Sequence, residues 1–276
     1  MDVQLTVVRP FSAVAGDLVL AVCGEAAGFS GPWLSVPAED LSGLVVGTCL
    51  GFERARPLAR VESRGFLPRP AAVDAAAFGR RCLWLSVLED HAFAEGPLPL
   101  SAWKTGLSLA WVTLSDKGSR GERPDASGPL VEALARERLP IAYARGHILP
   151  DEAAEIEGLL TTLARVEGFD LILTTGGTGL TPRDVTPEAA LRVIDKRLPG
   201  FEQAMMQAAL AKTPYAGLSR AVAGAAGASL VVNLPGSPKA VRENLAAILP
   251  ALDHAVKKLQ GDPAECAAHA SGRDRP

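Results

Sequence analysis

The sequence predicts an α/β protein: an open, mostly parallel sheet with helices on both faces, preceded by a small β-rich N-terminal domain. Three observations carry this. From residue 107 onward, apolar runs of strand length alternate with stretches of helical periodicity, the succession that builds crossover connections. The third run, Leu171-Ile172-Leu173, leads into Thr174-Thr175-Gly176-Gly177-Thr178-Gly179, and Thr186-Pro187-Glu188 then opens another helical pattern. Residues 1–95 lack that periodicity, and their short Val- and Leu-rich runs are broken by Gly and Pro at close spacing.

In the first third, Gln4–Val8, Leu18–Cys23, Leu44–Cys49 and Cys82–Leu88 read as strands of a small barrel-like unit, and Ala71–Phe78 as one short helix. Trp33 and Trp84 read as core aromatics. Asp17, Glu25, Glu39 and Asp40 flank turns, where carboxylates are solvated, and no catalytic constellation is visible. Residues 96–106 read as a linker, because Pro97 and Pro99 remove backbone donors beside Gly96 and Ser101.

The α/β domain is expected over residues 107–261. Leu107–Leu114 (LSLAWVTL) is a buried strand that ends at Ser115-Asp116-Lys117-Gly118. Asp125-Ala126-Ser127-Gly128 supplies capping chemistry for a helix through Leu139. Ile141–Leu149 is a second strand. From Glu152, the spacing of Ala153, Ile156, Leu159, Leu160 and Leu163 is helical, and Gly168 ends that helix. After the glycine loop come helices at Thr186 and Pro199–Lys212, a strand at Ala228–Asn233 and a final helix, Ala240–Leu259. Residues 262–276, with Pro, Ala, Ser, Gly and charge, read as a disordered tail.

Composition removes several classes. A net charge of −3 gives no whole-chain basis for nucleic-acid affinity. Cys23, Cys49, Cys82 and Cys266 lie far apart without CxxC or Cys/His ligand spacing, as free thiols in a reducing cytosol would. No uninterrupted apolar stretch of about 18 residues suggests a membrane helix. Asp2 and Asp17 spoil a signal peptide, and Leu20-Ala21-Val22-Cys23 lacks the small residue a lipoprotein site needs. A cytoplasmic protein is expected.

In open α/β sheets, ligands bind outside the carboxyl ends of the strands. Four polar loops are expected there: 115–120, 150–152, 176–184 and 234–239. Three glycines in four residues allow close backbone approach and point N–H groups at an anion. A tight strand-to-helix turn calls for the same residues. The loop is neither a Walker A motif nor GxGxxG. Asp151 and Asp184 are either cap and turn residues or, facing one mouth, carboxylates that hold Mg²⁺ between phosphate oxygens. Arg183, Arg220 and Lys239 are candidate phosphate partners. His147 more simply orders a strand end, and no Ser/His/Asp arrangement suggests acyl transfer.

The segments Thr174–Gly179 with Arg183-Asp184-Val185-Thr186-Pro187-Glu188, Leu218-Ser219-Arg220 and Asn233-Leu234-Pro235-Gly236-Ser237-Pro238 resemble the molybdopterin-binding domain of molybdenum-cofactor biosynthesis. Ser115-Asp116 and Pro150-Asp151-Glu152 match the same family. The likeness covers roughly residues 107–260 and is nearest the stand-alone molybdopterin adenylyltransferases. It implies a reaction in which Mg²⁺ and ATP deliver AMP to the terminal phosphate of molybdopterin and pyrophosphate leaves. By that resemblance Asp151 and Asp184 position Mg²⁺ and the reacting phosphates. Ser115 and Asp116 line the nucleotide side, and Thr175, Gly176, Gly177, Thr178 and Gly179 cradle phosphate beside Arg183. Ser219, Arg220, Pro235, Gly236, Ser237 and Lys239 hold the pterin phosphate region. The resemblance also implies a homotrimer and contact with other cofactor-biosynthesis proteins. A non-catalytic molybdopterin carrier or sensor, and a molybdate-inserting enzyme, are the alternatives. Intact Asp151 and Asp184 weigh against the first, and the absence of recognisable flanking domains against the second. The first third is not recognised.

Overall fold

The structure, a computed structural model, describes residues 1–24, 29, 31–67 and 80–263. The expected helix at 71–78 and nearly all of the expected tail lie outside the described residues. Two compact units are present: Met1–Leu109 with Pro140–Ala144 and Arg165–Phe169, and Ala110–Leu139 with Arg145–Ala164 and Asp170–Pro276.

The first unit holds β1 (Asp2–Val7), β2 (Phe11–Ala13), β3 (Leu18–Val22), β4 (Trp33–Ser35), α1 (Ala38–Leu41), β5 (Cys49–Gly51), β6 (Ala59–Leu67), β7 (Arg80–Val87), β8 (His91–Phe93) and β9 (Gly96–Trp103). Seven of these strands close a barrel in the order β1-β4-β3-β7-β6-β5-β9, while β2 and β8 form a separate ribbon. Closure leaves no open edge to template aggregation. The alternation in β1 is strict: Val3, Leu5 and Val7 point inward, each at most 2% exposed. Trp33 and Trp84 pack partly buried against Leu20, Val22 and Cys82.

The linker expected at 96–106 is corrected, since Gly96–Trp103 is a barrel strand. Leu98, Leu100 and Ala102 are buried, and Pro97 and Pro99 face outward. Proline is tolerated here because β9 pairs with β1 over Gly96–Ser101 but with β5 only over Ser101–Trp103. The proline half therefore behaves as an edge strand. Likewise, Leu44 and Val46 are fully buried but belong to the loop before β5.

The later elements are β10 (Leu107–Leu114), α2 (Asp116–Ser119), α3 (Gly128–Arg138), β11 (Ile141–Leu149), α4 (Ala153–Thr161), β12 (Leu171–Thr175), α5 (Thr186–Val193), β13 (Lys196–Arg197), α6 (Pro199–Leu210), β14 (Ala223–Ala226), β15 (Ser229–Leu234) and α7 (Pro238–Leu259). Their sheet runs β11-β10-β12-β15-β14-β13. The expected parallel pairing is present between β12 and β15, while β14 and β13 add on antiparallel. The sheet is mixed. The Ala-Gly-Ala-Ala strand β14 has none of the β-branched residues that announce a strand. It is set by pairing with β15 and β13, and Gly224 packs there against Ile194, where a methyl would overlap that side chain.

Every residue of β12 and β15 is buried, which explains their continuous apolar runs. Val131 and Leu134 of α3, Ile156 and Leu160 of α4, and Leu245, Ile248 and Leu252 of α7 complete the core. Each such side chain contributes about 1.5–3 kcal/mol by leaving water. Among the described residues no helix is long and apolar enough to cross a membrane. Cys23, Cys49 and Cys82 are free thiols.

Candidate functional site

The glycine loop follows β12 directly, and its backbone is held from both sides. Gly176 N–H donates to Leu234 O at 3.1 Å, and Thr186 N–H to Gly177 O at 3.2 Å. Thr186 Oγ1 donates to Gly176 O at 3.0 Å, and Thr175 Oγ1 to Pro235 O at 2.7 Å. Gly176 and Gly177 have φ of 106° and 59°, the left-handed region that a Cβ opposes. A methyl at Gly176 would overlap the Leu114 carbonyl, and one at Gly177 would overlap the Thr186 hydroxyl. Glycine at these two positions is therefore a packing requirement as well as a conformational one.

Two carboxylates stand against this loop. A Cβ at Gly177 would lie 3.0 Å from Asp151 Oδ1, and one at Gly179 would lie 2.9 Å from Asp184 Oδ2. Their electrostatic states are opposite. Burial pushes the Asp151 carboxyl above its ordinary value, and repulsion from Asp116 and Asp184 adds to this against the Asp116 N–H and Arg183. Burial also acts upward on Asp184, but the Thr181 hydroxyl and N–H, the Gly179 N–H and the Arg220 charge outweigh it and hold the carboxyl below its ordinary value. Thr181 N–H and Oγ1 reach Asp184 Oδ2 at 2.8 and 2.7 Å.

Asp116 and Asp151 are tied reciprocally. Asp116 N–H donates to Asp151 Oδ2 at 3.2 Å, and Asp151 N–H to Asp116 Oδ1 at 3.1 Å. Arg183 then clamps the pair, with Nε and Nη2 on the two Asp116 oxygens at 3.1 and 2.7 Å and Nη1 on Glu152 at 2.6 Å. The guanidinium beside Asp116 holds that carboxyl below its ordinary value, and the same bonds raise Arg183. Arg220 is turned to the loop backbone. Its N–H donates to Thr178 O at 3.0 Å, Nε to Gly179 O at 2.8 Å and Nη2 to Asp184 O at 2.5 Å, and Nη1 pairs with Glu188.

Of the expected site residues, the structure gathers Ser115, Asp151, Thr175, Gly176, Gly177, Arg183, Asp184, Gly236 and Ser237 around one cleft of about 540 Å³. Thr178, Gly179, Ser219 and Pro235 line a second, more apolar pocket of about 300 Å³ with Met205, Met206 and Leu218. Asp116 and Arg220 line neither cavity and act through the residues they hold. Lys239 is exposed in the first turn of α7 and lines neither. His147 is kept neutral, its pKa pushed down to about 4 by burial and by Arg145, and it is outside the cleft.

The cleft also contains Thr113, Arg123, Asp125, Ser127 and Thr181, which sequence reasoning did not place there. Asp125 accepts the Ser127 and Gly128 N–H groups at 3.0 Å each and Thr113 Oγ1 at 2.7 Å. Ser127 Oγ donates to Gly236 O at 2.8 Å, which ties the start of α3 to the last loop. The Asp-Ala-Ser-Gly capping signal pointed at this junction but not at its role in closing the cleft. Arg123 carried no signal. Among the described residues no three His, Cys, Asp or Glu side chains gather as a metal cage; of the three aspartates that line the cleft, Asp125 is engaged by Thr113, Ser127 and Gly128, which leaves Asp151 and Asp184 beside the glycine loop.

The site thus sets a glycine loop, carboxylates and guanidinium clamps together at the strand ends of a mixed α/β module. The "probable molybdopterin binding domain" family matches residues 110–254, just over half of the chain. The chain belongs to this family. It is 40% identical to the molybdopterin adenylyltransferase of Helicobacter pylori (strain J99) over 158 residues, 56% of this chain and 89% of the relative. It is also 40% identical to Dictyostelium discoideum gephyrin over 161 residues, 55% of this chain but 22% of that protein. A match to cinnamon of Drosophila melanogaster covers 26% of that protein, so the chain spans about a quarter of each of these two relatives. The structure is similar to that of the molybdopterin biosynthesis enzyme MoaB of Thermus thermophilus, with a TM-score of 0.53 and 46% identity, over 58% of this chain and 99% of that one. Residues 1–109 lie outside the matched family region.

Proposed function

We propose that the chain is a molybdopterin adenylyltransferase acting in molybdenum-cofactor biosynthesis, in the cytoplasm. The observation that carries this reading is the placement of Asp151 and Asp184 against a backbone-pinned glycine loop within one cleft. In the reaction, an oxygen of the molybdopterin phosphate attacks the α-phosphorus of ATP. The bond from that phosphorus to the bridging oxygen breaks, and pyrophosphate leaves with the electron pair. The nucleophile is already an anion, so no strong general base is needed, in keeping with a cleft whose lining residues include no histidine. Catalysis then rests on alignment and charge neutralisation.

The residues present fit magnesium. Carboxylate oxygens are hard ligands, and this ion is usually held by one or two carboxylates together with substrate phosphates. Asp151 and Asp184 would hold it, and when bound it supplies neutralisation of charge on the phosphates. The Gly176–Gly177 backbone approaches the phosphates closely, and Thr181 and Thr186 hold the loop and Asp184 in place. Arg183 and Arg220 fix the walls.

Release of pyrophosphate from ATP, dependent on both molybdopterin and Mg²⁺, tests the reading. Removing one well-aimed group in such a site costs about 10²–10³ in rate, or ~3–4 kcal/mol. Asp184→Asn and Asp151→Asn are each expected to fall by at least about a hundredfold while keeping the wild-type circular dichroism spectrum. Near wild-type turnover in either variant would remove that residue from the mechanism. Molybdopterin binding without any pyrophosphate release would favour the carrier.

A further inference from the structure

A nucleotide polyphosphate entering the cleft meets Asp125, Asp151 and Asp184, so an uncommitted cation on the cleft wall decides how well it is held. Arg183 is engaged by Asp116 and Glu152. Arg220 spends its N–H groups on loop carbonyls and Glu188, and lines neither the cleft nor the apolar pocket. Lys239 does not line the cleft either. Arg120 is paired with Glu122.

Arg123 differs from all of these. It lines the cleft, and its hydrogen bond goes to a neutral partner, Nη2 to Ser115 Oγ at 3.1 Å. Among the described residues no carboxylate pairs with it. Ser115 Oγ also accepts the Gly118 N–H at 3.1 Å, as the N-cap of α2. With two N–H donors on that oxygen its lone pairs are used and its proton is left available to donate, and Ser115 is buried at the cleft wall. A guanidinium with most of its fork free and a hydroxyl with its proton free therefore stand side by side.

We propose that Arg123, oriented by Ser115, binds the polyphosphate of the nucleotide substrate and sets affinity for it. This rests on the adenylyltransferase reading. The more highly charged of the two substrates gains most from the one cleft cation that no carboxylate neutralises among the described residues, and a guanidinium fork suits phosphate oxygens bidentately. Arg123 is exposed on a loop, so its replacement leaves the core untouched.

The test is calorimetric titration of the full chain with MgATP, tripolyphosphate and adenosine, for wild type, Arg123→Lys and Arg123→Ala. A charge-assisted hydrogen bond predicts that Arg123→Ala weakens ATP and tripolyphosphate binding about tenfold to a hundredfold. Adenosine binding should be unchanged, and Arg123→Lys should recover part of the loss, because it restores charge without the fork. Tripolyphosphate binding by Arg123→Ala equal to wild type would overturn the proposal and leave the proposed function standing. A loss confined to molybdopterin, or shared equally by adenosine, would also overturn it. A wild-type protein that binds neither ATP nor tripolyphosphate would instead bring down the adenylyltransferase reading itself.

Discussion

Gly177→Ala is the sharpest probe of the site, because the fold supplies its own control. Gly177 and Gly227 have nearly the same backbone conformation, with φ of 59° and 60°. A Cβ at Gly227 meets nothing within 4 Å, whereas one at Gly177 overlaps the Thr186 hydroxyl and crowds Asp151. Forcing a Cβ into the left-handed region costs roughly 1–2 kcal/mol at either position. Reduced freedom of the unfolded chain returns about 0.4–1 kcal/mol. At Gly177 the displaced Thr186 also abandons the buried Gly176 carbonyl, at a further ~1–3 kcal/mol. Gly227→Ala should therefore cost about 0–1.6 kcal/mol, and Gly177→Ala roughly 1–4.6 kcal/mol. A mid-range loss of ~2.5 kcal/mol lowers Tm by about 5–10 °C in a domain of this size. Differential scanning calorimetry gives the two Tm values, and pyrophosphate release gives the activities. Gly177→Ala should lose most of its activity by moving both the loop and Asp151, while Gly227→Ala keeps wild-type activity. Equal Tm losses in the two variants, or full activity in Gly177→Ala, would refute the packing argument.

Asp151→Asn and Asp184→Asn should move stability in opposite directions at pH 7. The raised Asp151 carboxyl favours its neutral form in the fold, so asparagine there should stabilise at neutral pH, and the gain should fade as pH drops through the raised value to the ordinary ~3.9. The lowered Asp184 carboxyl contributes stability above its ordinary value, so asparagine there should destabilise at neutral pH, a cost that disappears as pH falls through the folded value. Denaturation midpoints from pH 3 to 7 check both, and a shift of the same sign in the two variants would contradict the assignment. Finally, light scattering of the full chain at micromolar concentration should report the trimer implied by the family resemblance, and a monomer would count against it.

The α/β elements were legible where burial on both faces left continuous apolar runs, as in Leu107–Leu114 and Leu171–Thr175. They were illegible where a strand is defined by what it packs against. Ala223–Ala226 has no strand composition and is shaped by Ile194. Gly96–Trp103 reads as a linker because its prolines dominate local propensity. The closed barrel overrides them by presenting Leu98 and Leu100 inward and the prolines where pairing is one-sided. The same distinction holds in the site. Asp151 and Asp184 could be picked out because each borders a loop at a strand end, a matter of sequence position. Arg123 could not, since its meaning depends on which carboxylates are already claimed by other cations, and only the tertiary fold decides that.

That allocation of charge also ties the loops of the cleft to one another. Arg183 joins three loops, bridging from its own to Asp116 and Glu152. Arg220 joins the glycine loop to α5 through Glu188. Ser127 and Leu234 bring in the fourth loop through Gly236 and Gly176. Exposed ion pairs of this kind add little stability singly, typically about 0–1 kcal/mol. Their value lies in preorganisation, because donors already in place at the transition state need not be ordered at the moment of reaction. Arg183 and Arg220 are thus committed to geometry, and binding falls to Arg123. Weakening Arg183 or Arg220 should for this reason lower turnover more than substrate affinity, whereas weakening Arg123 should do the reverse.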